Sequence, residues 1–429
     1  MYIYVKIDNI CGIDKEIKID FLAEPRKRNK KETVVEIETG KNVNKLTGIL
    51  GCNASGKSSI IKAITSIDLF LTYNAHVDRN QEDKEGRIYR RIETLMPKAN
   101  ANRKNEYSVI ELCTFIDNCP KKGIYTYRLE YTLNPNEEIK MREVLKYKSS
   151  FSSKENEILN ISKRKLESEI GIKYNYKDSF IEDIIDKKAL SSFNEKLEYY
   201  KCFYEYISNQ LIYAEDSIDN VEMQYCFIQN WIEVDKDTID EVVKLIDKSI
   251  EKFELETIPG TERKRIYFYN ANGQKLSFGD MSNGTRKFLT YTYLLLITLN
   301  TNGMILIDEI ENSLHNDLVK FILKLITIKS SKSQIIFTTN DQYTMDEEIM
   351  RIDQMYFLEK DINGKTELQR FSESIRNEKN KKQVRNDETI RRKFKEKSIC
   401  KGFQPSSEKI ARFIDSIERN DILSKHKFV

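Results

Sequence analysis

Residues 46–66 constrain this chain more than any other stretch. Within them, Gly51-Cys52-Asn53-Ala54-Ser55-Gly56-Lys57-Ser58 fits the phosphate-loop pattern G-x-x-x-x-G-K-[ST]. Leu46 to Leu50 reads as a short buried strand, and Ser59 to Ile67 begins an apolar-periodic helix. Gly51 and Gly56 let the backbone turn tightly, so that successive N–H groups face one concavity at a helix N-terminus. Asn53, Ala54, Ser55, Gly56, Lys57, Ser58 and Ser59 are therefore the phosphate-binding candidates. Lys57 is placed to reach the β- and γ-phosphates of ATP, and the Ser58 hydroxyl to ligate Mg²⁺.

With 429 residues the chain has room for one large domain or two to three modest ones. Lys and Arg number 71 against 68 Asp and Glu, so the net charge argues neither for nor against nucleic acid. Seven cysteines lie scattered without a C-x-x-C pair, a pattern expected of reduced thiols in the cytosol. No apolar run reaches about 18 residues and the N-terminus lacks a signal pattern, so the expectation is a cytoplasmic protein with no membrane partner.

Strands are expected at 2–8 and 16–22. Residues 24–32 are basic and read as a solvated loop, and 74–106 as a long exposed insertion. Tyr107–Ile116, Gly123–Leu133, Ile139–Lys148 and Glu157–Ile161, separated by turn clusters, predict an antiparallel sheet. From Glu182 to Phe253 the period becomes helical. One stripe runs through Leu197, Phe203, Tyr204, Ile207 and Leu211, another through Ile239, Val242, Val243, Leu245, Ile246 and Ile250. No heptad pattern persists, which argues against a long coiled coil. Strands at 265–269 and 274–278 then lead through a glycine-containing loop to a helix from Arg286 to Leu299. Met304–Ile307, helix Asn316–Thr327 and Gln334–Thr338 form a βαβ unit, and further strands follow at 353–371.

Met304-Ile-Leu-Ile-Asp308-Glu309 is an apolar strand ending in two carboxylates, at the end of a parallel sheet where ligands bind. Asp308 is placed to organise Mg²⁺ and Glu309 to orient or deprotonate the attacking water. Met281-Ser282-Asn283-Gly284-Thr285 precedes a helix; Ser282 could simply cap it, or the loop could be a second phosphate-gripping helix N-terminus.

Taken together, these motifs resemble the ABC/SMC-type ATPases, in particular the OLD-like branch. The resemblance covers 1–70 and 274–360 and elsewhere extends only to layout. It implies an α/β fold: an ABC-type P-loop NTPase head with an inserted antiparallel sheet and a helical lobe. The expected division is 1–181 for the N-terminal part of the head, 182–256 for the helical lobe, 257–374 for the C-terminal part and 375–429 for a basic tail with a final helix at 408–419. Ser282-Asn283-Gly284-Thr285 is similar to the ABC signature loop, which implies that Ser282, Asn283 and Gly284 grip the ATP bound by a second copy of the chain. Ser313-Leu314-His315 resembles the dimer-facing loop after the Walker B strand. In place of the family's Thr-Thr-His the chain has Thr338-Thr339-Asn340. Asn340 can hydrogen-bond a γ-phosphate but cannot carry charge, which implies a slow, switch-like ATPase.

Between Arg376 and Lys401 the tail has eleven Lys and Arg against four acidic residues, either a solvated face or a salt-sensitive nucleic-acid contact. Arg419-Asn420 followed by His426 is too short a remainder for a HEPN ribonuclease. The OLD-like resemblance implies the ATPase subunit of a prokaryotic anti-phage system, similar in layout to the ATPases of PARIS, Septu and AbiL. Such a subunit forms homo-oligomers and controls a separate effector, expected to be a nuclease. A RecF-like or SMC-like DNA-repair clamp is the alternative, and a transporter head fits less well.

Overall fold

The computed structural model describes residues 1–25, 31–76, 96–132, 140–162, 194–213, 220–234, 236–246, 249–257, 264–328, 331–344, 349–361 and 363–374. The basic run at 26–30, the tail and the final helix at 408–419 lie outside them.

A mixed sheet organises the molecule. Its strands are β5 (Leu46–Gly51), β10 (Leu211–Tyr213), β14 (Met304–Ile307), β15 (Gln334–Thr339), β16 (Met355–Lys360) and β17 (Thr366–Arg370), in the order β10-β14-β15-β5-β16-β17. All neighbours are parallel except the terminal β16–β17 hairpin. Strands covered on both faces need apolar residues at every position. β14 meets this with Met304-Ile-Leu-Ile, and β15 with Ile335-Ile-Phe flanked by the polar Gln334 and Thr338-Thr339, all buried. Alternation splits them between two cores: Met304, Leu306 and Ile336 face one side, and Ile305, Ile307, Ile335 and Phe337 face the other.

On the first face lies α1 (Lys57–His76), which buries Ile60, Ile61, Ile64, Ile67 and Leu71 at helical spacing. A second, antiparallel sheet covers it. This sheet comprises β1 (Tyr2–Asp8), β2 (Ile17–Asp20), β6 (Ser108–Ile116), β7 (Gly123–Tyr131), β8 (Met141–Lys148) and β9 (Asn156–Ser162), in the order β2-β1-β6-β7-β8-β9. The inserted strands thus extend the N-terminal pair through β1–β6, so both belong to one sheet. Helix α2 (Asn194–Gln210) packs there too, stacking Phe203 against Tyr125 and Tyr127.

The second face carries α3 (Val221–Val234), α4 (Lys236–Ile246), α5 (Asn283–Thr301) and α6 (Asn316–Ile328), with a small sheet of β11 (Ile250–Thr257), β12 (Lys264–Asn270) and β13 (Lys275–Ser277). The segment 182–256 is therefore not one helical lobe. Among its described residues, α2 joins the first core, while α3 and α4 join the second. Leu211 opens β10 of the central sheet and Ile250 opens β11, so neither continues its expected helical stripe. Both runs are apolar enough for either structure, and strand pairing decides the outcome.

In the insertion expected at 74–106, the described residues beyond Asn100 are largely exposed, but they are ordered by ties to the N-terminal strands. Residues 74–76 finish α1, and 96–106 clasp the β1–β2 loop. Asn9 Nδ2 donates to the carbonyls of Arg103 and Glu106, Asn100 Nδ2 to that of Cys11, and Arg103 Nη1 to Asp8 Oδ1 at 2.6 Å. Residues 77–95 lie outside the described set. Among the described residues Cys11, Cys113, Cys119, Cys202 and Cys226 are free thiols, in line with the expectation of reduced cysteines.

A buried ion pair fastens residues 22–24 to the turn before β16 and to β17. Asp353, fully buried, accepts from Arg351 Nε at 2.8 Å, Arg351 Nη2 at 2.9 Å and the Glu24 N–H at 2.7 Å. Arg370 donates to the Asp353 and Leu22 carbonyls. Removing one partner of such a pair strands a buried charge. Asp353→Ala is expected to cost about 3–5 kcal/mol in denaturant unfolding. Lys18→Ala, which breaks the exposed pair with Asp20, should cost less than about 1 kcal/mol.

Candidate nucleotide-binding site

The phosphate loop joins β5 to α1. Ala54 takes φ 63° and Gly56 φ 108°, the left-handed values that curl the loop. A Cβ on Gly51 would lie 2.6 Å from Ser55 Oγ and 2.7 Å from the Leu358 carbonyl, so only glycine fits where the loop leaves the sheet. Asn53 and Ala54 are exposed, and Ser55 and Lys57 are buried. Lys57 Nζ donates to the carbonyls of Gly51 at 2.7 Å and Cys52 at 3.1 Å. Burial lowers its pKa, and the carboxylates of Glu309, Asp308 and Glu311 oppose that shift. Ser58 and Ser59 lie in the first turn of α1, which has no acidic residue to compete with a bound anion.

The β1–β2 loop backs this turn. Gly12 N–H donates to Ser59 Oγ at 3.3 Å, and a Cβ on Gly12 would stand 3.3 Å from Gly56 Cα. Thr366 Oγ1 donates to the Gly12 carbonyl, fixing the loop to β17. The clasp at 96–106 thereby bears on the phosphate loop through an ordered layer.

Strand register brings the second set of residues to the same edge. Thr338 and Thr339 of β15 lie opposite Ile49 and Leu50 of β5, and Ile307 of β14 opposite Phe337. Asp308, Glu309 and Asn340 therefore emerge from the C-terminal ends of β14 and β15, on the sheet edge that carries the phosphate loop. Thr338 ties them together. Its hydroxyl donates to Asp308 Oδ1 and accepts the Glu309 N–H at 2.9 Å. Glu309 itself adopts φ 47°, turning the chain sharply out of β14. Asn340 N–H donates to Glu311 Oε1 at 2.8 Å, and Asn340 Nδ2 reaches Asn53 Oδ1 at 3.5 Å. Thr338 and Glu311 were not selected from the sequence. A threonine within an apolar strand and a carboxylate two residues past a turn carry no spacing signal.

The signature-like loop forms a separate group. Ser282 caps α5 by accepting the Thr285 N–H at 3.1 Å. Asn283 Nδ2 donates to Ser313 Oγ at 3.0 Å, and a Cβ on Gly284 would come within 2.5 Å of the Ser313 carbonyl. Arg286 fixes the loop from behind through the carbonyls of Gly279 and Met281 and through Gln224 of α3. Among the described residues, no hydrogen bond joins Ser282, Asn283 or Gly284 to the phosphate loop of the same chain.

The donors suit Mg²⁺ with a triphosphate. Ser58 and Asp308 offer hard oxygen ligands, and Mg²⁺ commonly takes one or two protein oxygens and completes its shell with phosphate and water.

Residues 46–346 match the family model described as "AAA domain, putative AbiEii toxin, Type IV TA system". The chain belongs to this AAA_21 family of P-loop ATPase domains. Among curated proteins, none matches the sequence. Among solved structures, the chain is similar to an Smc head bound to the C-terminal winged-helix domain of ScpA, with 15% identity and TM-score 0.42 over 87% of this chain and 99% of that one. It is similar also to the SMC head domain from Thermotoga maritima, with 12% identity and TM-score 0.40 over 86% and 98%. A third is the Smc head with an extended coiled coil bound to the C-terminal domain of ScpA from Pyrococcus furiosus, with 13% identity and TM-score 0.41 over 89% and 99%. The expected α/β P-loop head with an antiparallel sheet is borne out by the strand order itself. Among the described residues no helix is long and apolar enough to cross a membrane.

Because Thr338 Oγ1 serves Asp308 and Glu309 at once, Thr338→Val should destabilise the nucleotide-free protein by about 1–3 kcal/mol despite its similar shape. Thr338→Ser should restore most of the loss, and denaturant unfolding of both variants measures the difference.

Proposed function

We propose that this chain is a slow, switch-like ATPase. In this reading Mg²⁺-ATP binds on the phosphate loop, and two or more copies close over nucleotide held between Lys57 of one and Ser282 of another. Bound Mg²⁺ would neutralise phosphate charge as the bond to the γ-phosphate breaks. The N–H groups of Asn53 to Ser59 and the Lys57 ammonium hold the phosphates, and Ser58 and Asp308 hold the metal. Glu309, directed by Thr338, orients the attacking water and takes its proton. Asn340 contributes a neutral carboxamide toward the γ-phosphate, which keeps turnover slow.

One observation carries the reading. Lys57, Asp308, Glu309 and Asn340 converge on one edge of a parallel sheet, with Lys57 within electrostatic reach of both acids. The exposure of Ser282 and Asn283 at the N-terminus of α5 supports a grip on a second copy. The family description, which mentions an AbiEii toxin and a type IV toxin–antitoxin system, supports a role in growth arrest or anti-phage defence. There the nucleotide state would control a separate toxic effector, expected to be a nuclease, in the cytoplasm of a prokaryote.

Glu309→Gln is expected to lower ATP turnover by about 10²- to 10⁴-fold while leaving ATP bound. Unchanged turnover would remove Glu309 as the base. Purification with co-expressed genomic neighbours, in ATP and Mg²⁺, tests the defence role. A stoichiometric nuclease-like partner supports it, whereas a dimer that retains DNA and no neighbour supports a repair-type clamp.

A further inference from the structure

We infer that Glu311 is a positioning residue of the hydrolytic site, acting through Asn340. This rests on the ATPase reading above and adds a group to it. After the left-handed turn at Glu309, the chain winds through two further turns, Asn312 N–H to the Glu309 carbonyl and Leu314 N–H to the Glu311 carbonyl. That winding brings the Glu311 side chain back toward the sheet edge instead of out to solvent. Its Oε1 accepts the backbone N–H of Asn340 at 2.8 Å, a charge-assisted bond that replaces the ladder partner Asn340 loses where β15 ends. Its Oε2 is buried and has no hydrogen-bond partner among the described residues. The same carboxylate acts electrostatically on Lys57.

These contacts give Glu311 a defined task. Asn340 is the first residue past β15, and its carboxamide stands at the limit of hydrogen-bond reach from Asn53 in the phosphate loop. Without a fixed main chain, that carboxamide would swing with the loop that follows. Glu311 removes this freedom and holds the amide over the phosphates.

Three variants test this. Glu311→Ala should reduce kcat by about 10- to 100-fold, the cost of misplacing a group at the reacting centre by about an ångström. The dissociation constant of ATP, measured in the Glu309→Gln background so that nucleotide is not consumed, should shift by less than about 3-fold. Glu311→Gln retains an oxygen acceptor for the Asn340 N–H and should return most of kcat. Hydrogen exchange in nucleotide-free protein supplies a readout independent of turnover. The peptide spanning 334–344 should exchange faster in Glu311→Ala than in wild type, and Glu311→Gln should restore protection. Unchanged exchange and unchanged kcat in Glu311→Ala would overturn the proposal, as would a Gln variant as impaired as Ala in both. If wild type hydrolyses no ATP but the exchange pattern holds, the ATPase reading fails while the tether from Glu311 to Asn340 stands.

Discussion

The side-by-side pairing of β5, β14 and β15 is the constraint on which the rest depends. These strands are buried on both faces, and each apolar side chain removed from water contributes about 1.5–3 kcal/mol. Their register is thereby fixed, because a one-residue slip would exchange the two cores. Fixed register places the phosphate loop, the Asp308–Glu309 pair and Asn340 at one edge, though they are far apart in the chain. Chemistry at this edge follows from packing well away from it.

Two layers convert that register into a rigid site. Thr338 links the acidic pair to β15, and Glu311 links the end of β15 to the turn beyond the pair. On the other side, the β1–β2 loop and the clasp at 96–106 press Gly12 against Gly56, so the phosphate loop is held from behind by the antiparallel sheet. Contact between Asn283, Gly284 and Ser313 continues the framework to the signature-like loop. The acidic turn thus links the chain's own phosphate loop to the signature-like loop.

Much of this was legible in the sequence. The phosphate loop, the βαβ unit and the antiparallel strands announce themselves by local pattern: glycines at fixed offsets, continuous apolar runs and period-two alternation between turns. Leu211 and Ile250 were misread because short apolar runs suit a helix or a strand equally, and only pairing with β14 or β12 decides. The clasp is largely exposed, as its polar composition predicts, but its anchoring through Asn100 and Arg103 is not legible. Their partners, Asn9, Asp8 and the Cys11 carbonyl, lie some ninety residues away, beyond the reach of any local pattern. Thr338 and Glu311 stayed hidden for a similar reason. Their roles come from the backbone turn at Glu309, which an acidic residue outside glycine's usual place does not signal.

The central claim is that nucleotide completes its site only when a second copy closes over it. Native mass measurement of the Glu309→Gln protein, in ATP with Mg²⁺ and then in ADP, tests it most directly, with Ser282→Arg alongside. The account predicts an ATP-dependent multimer carrying one nucleotide per chain, absent in ADP and abolished by Ser282→Arg while ATP still binds. A protein that binds ATP at the same mass in every condition, or a multimer indifferent to Ser282→Arg, would contradict it.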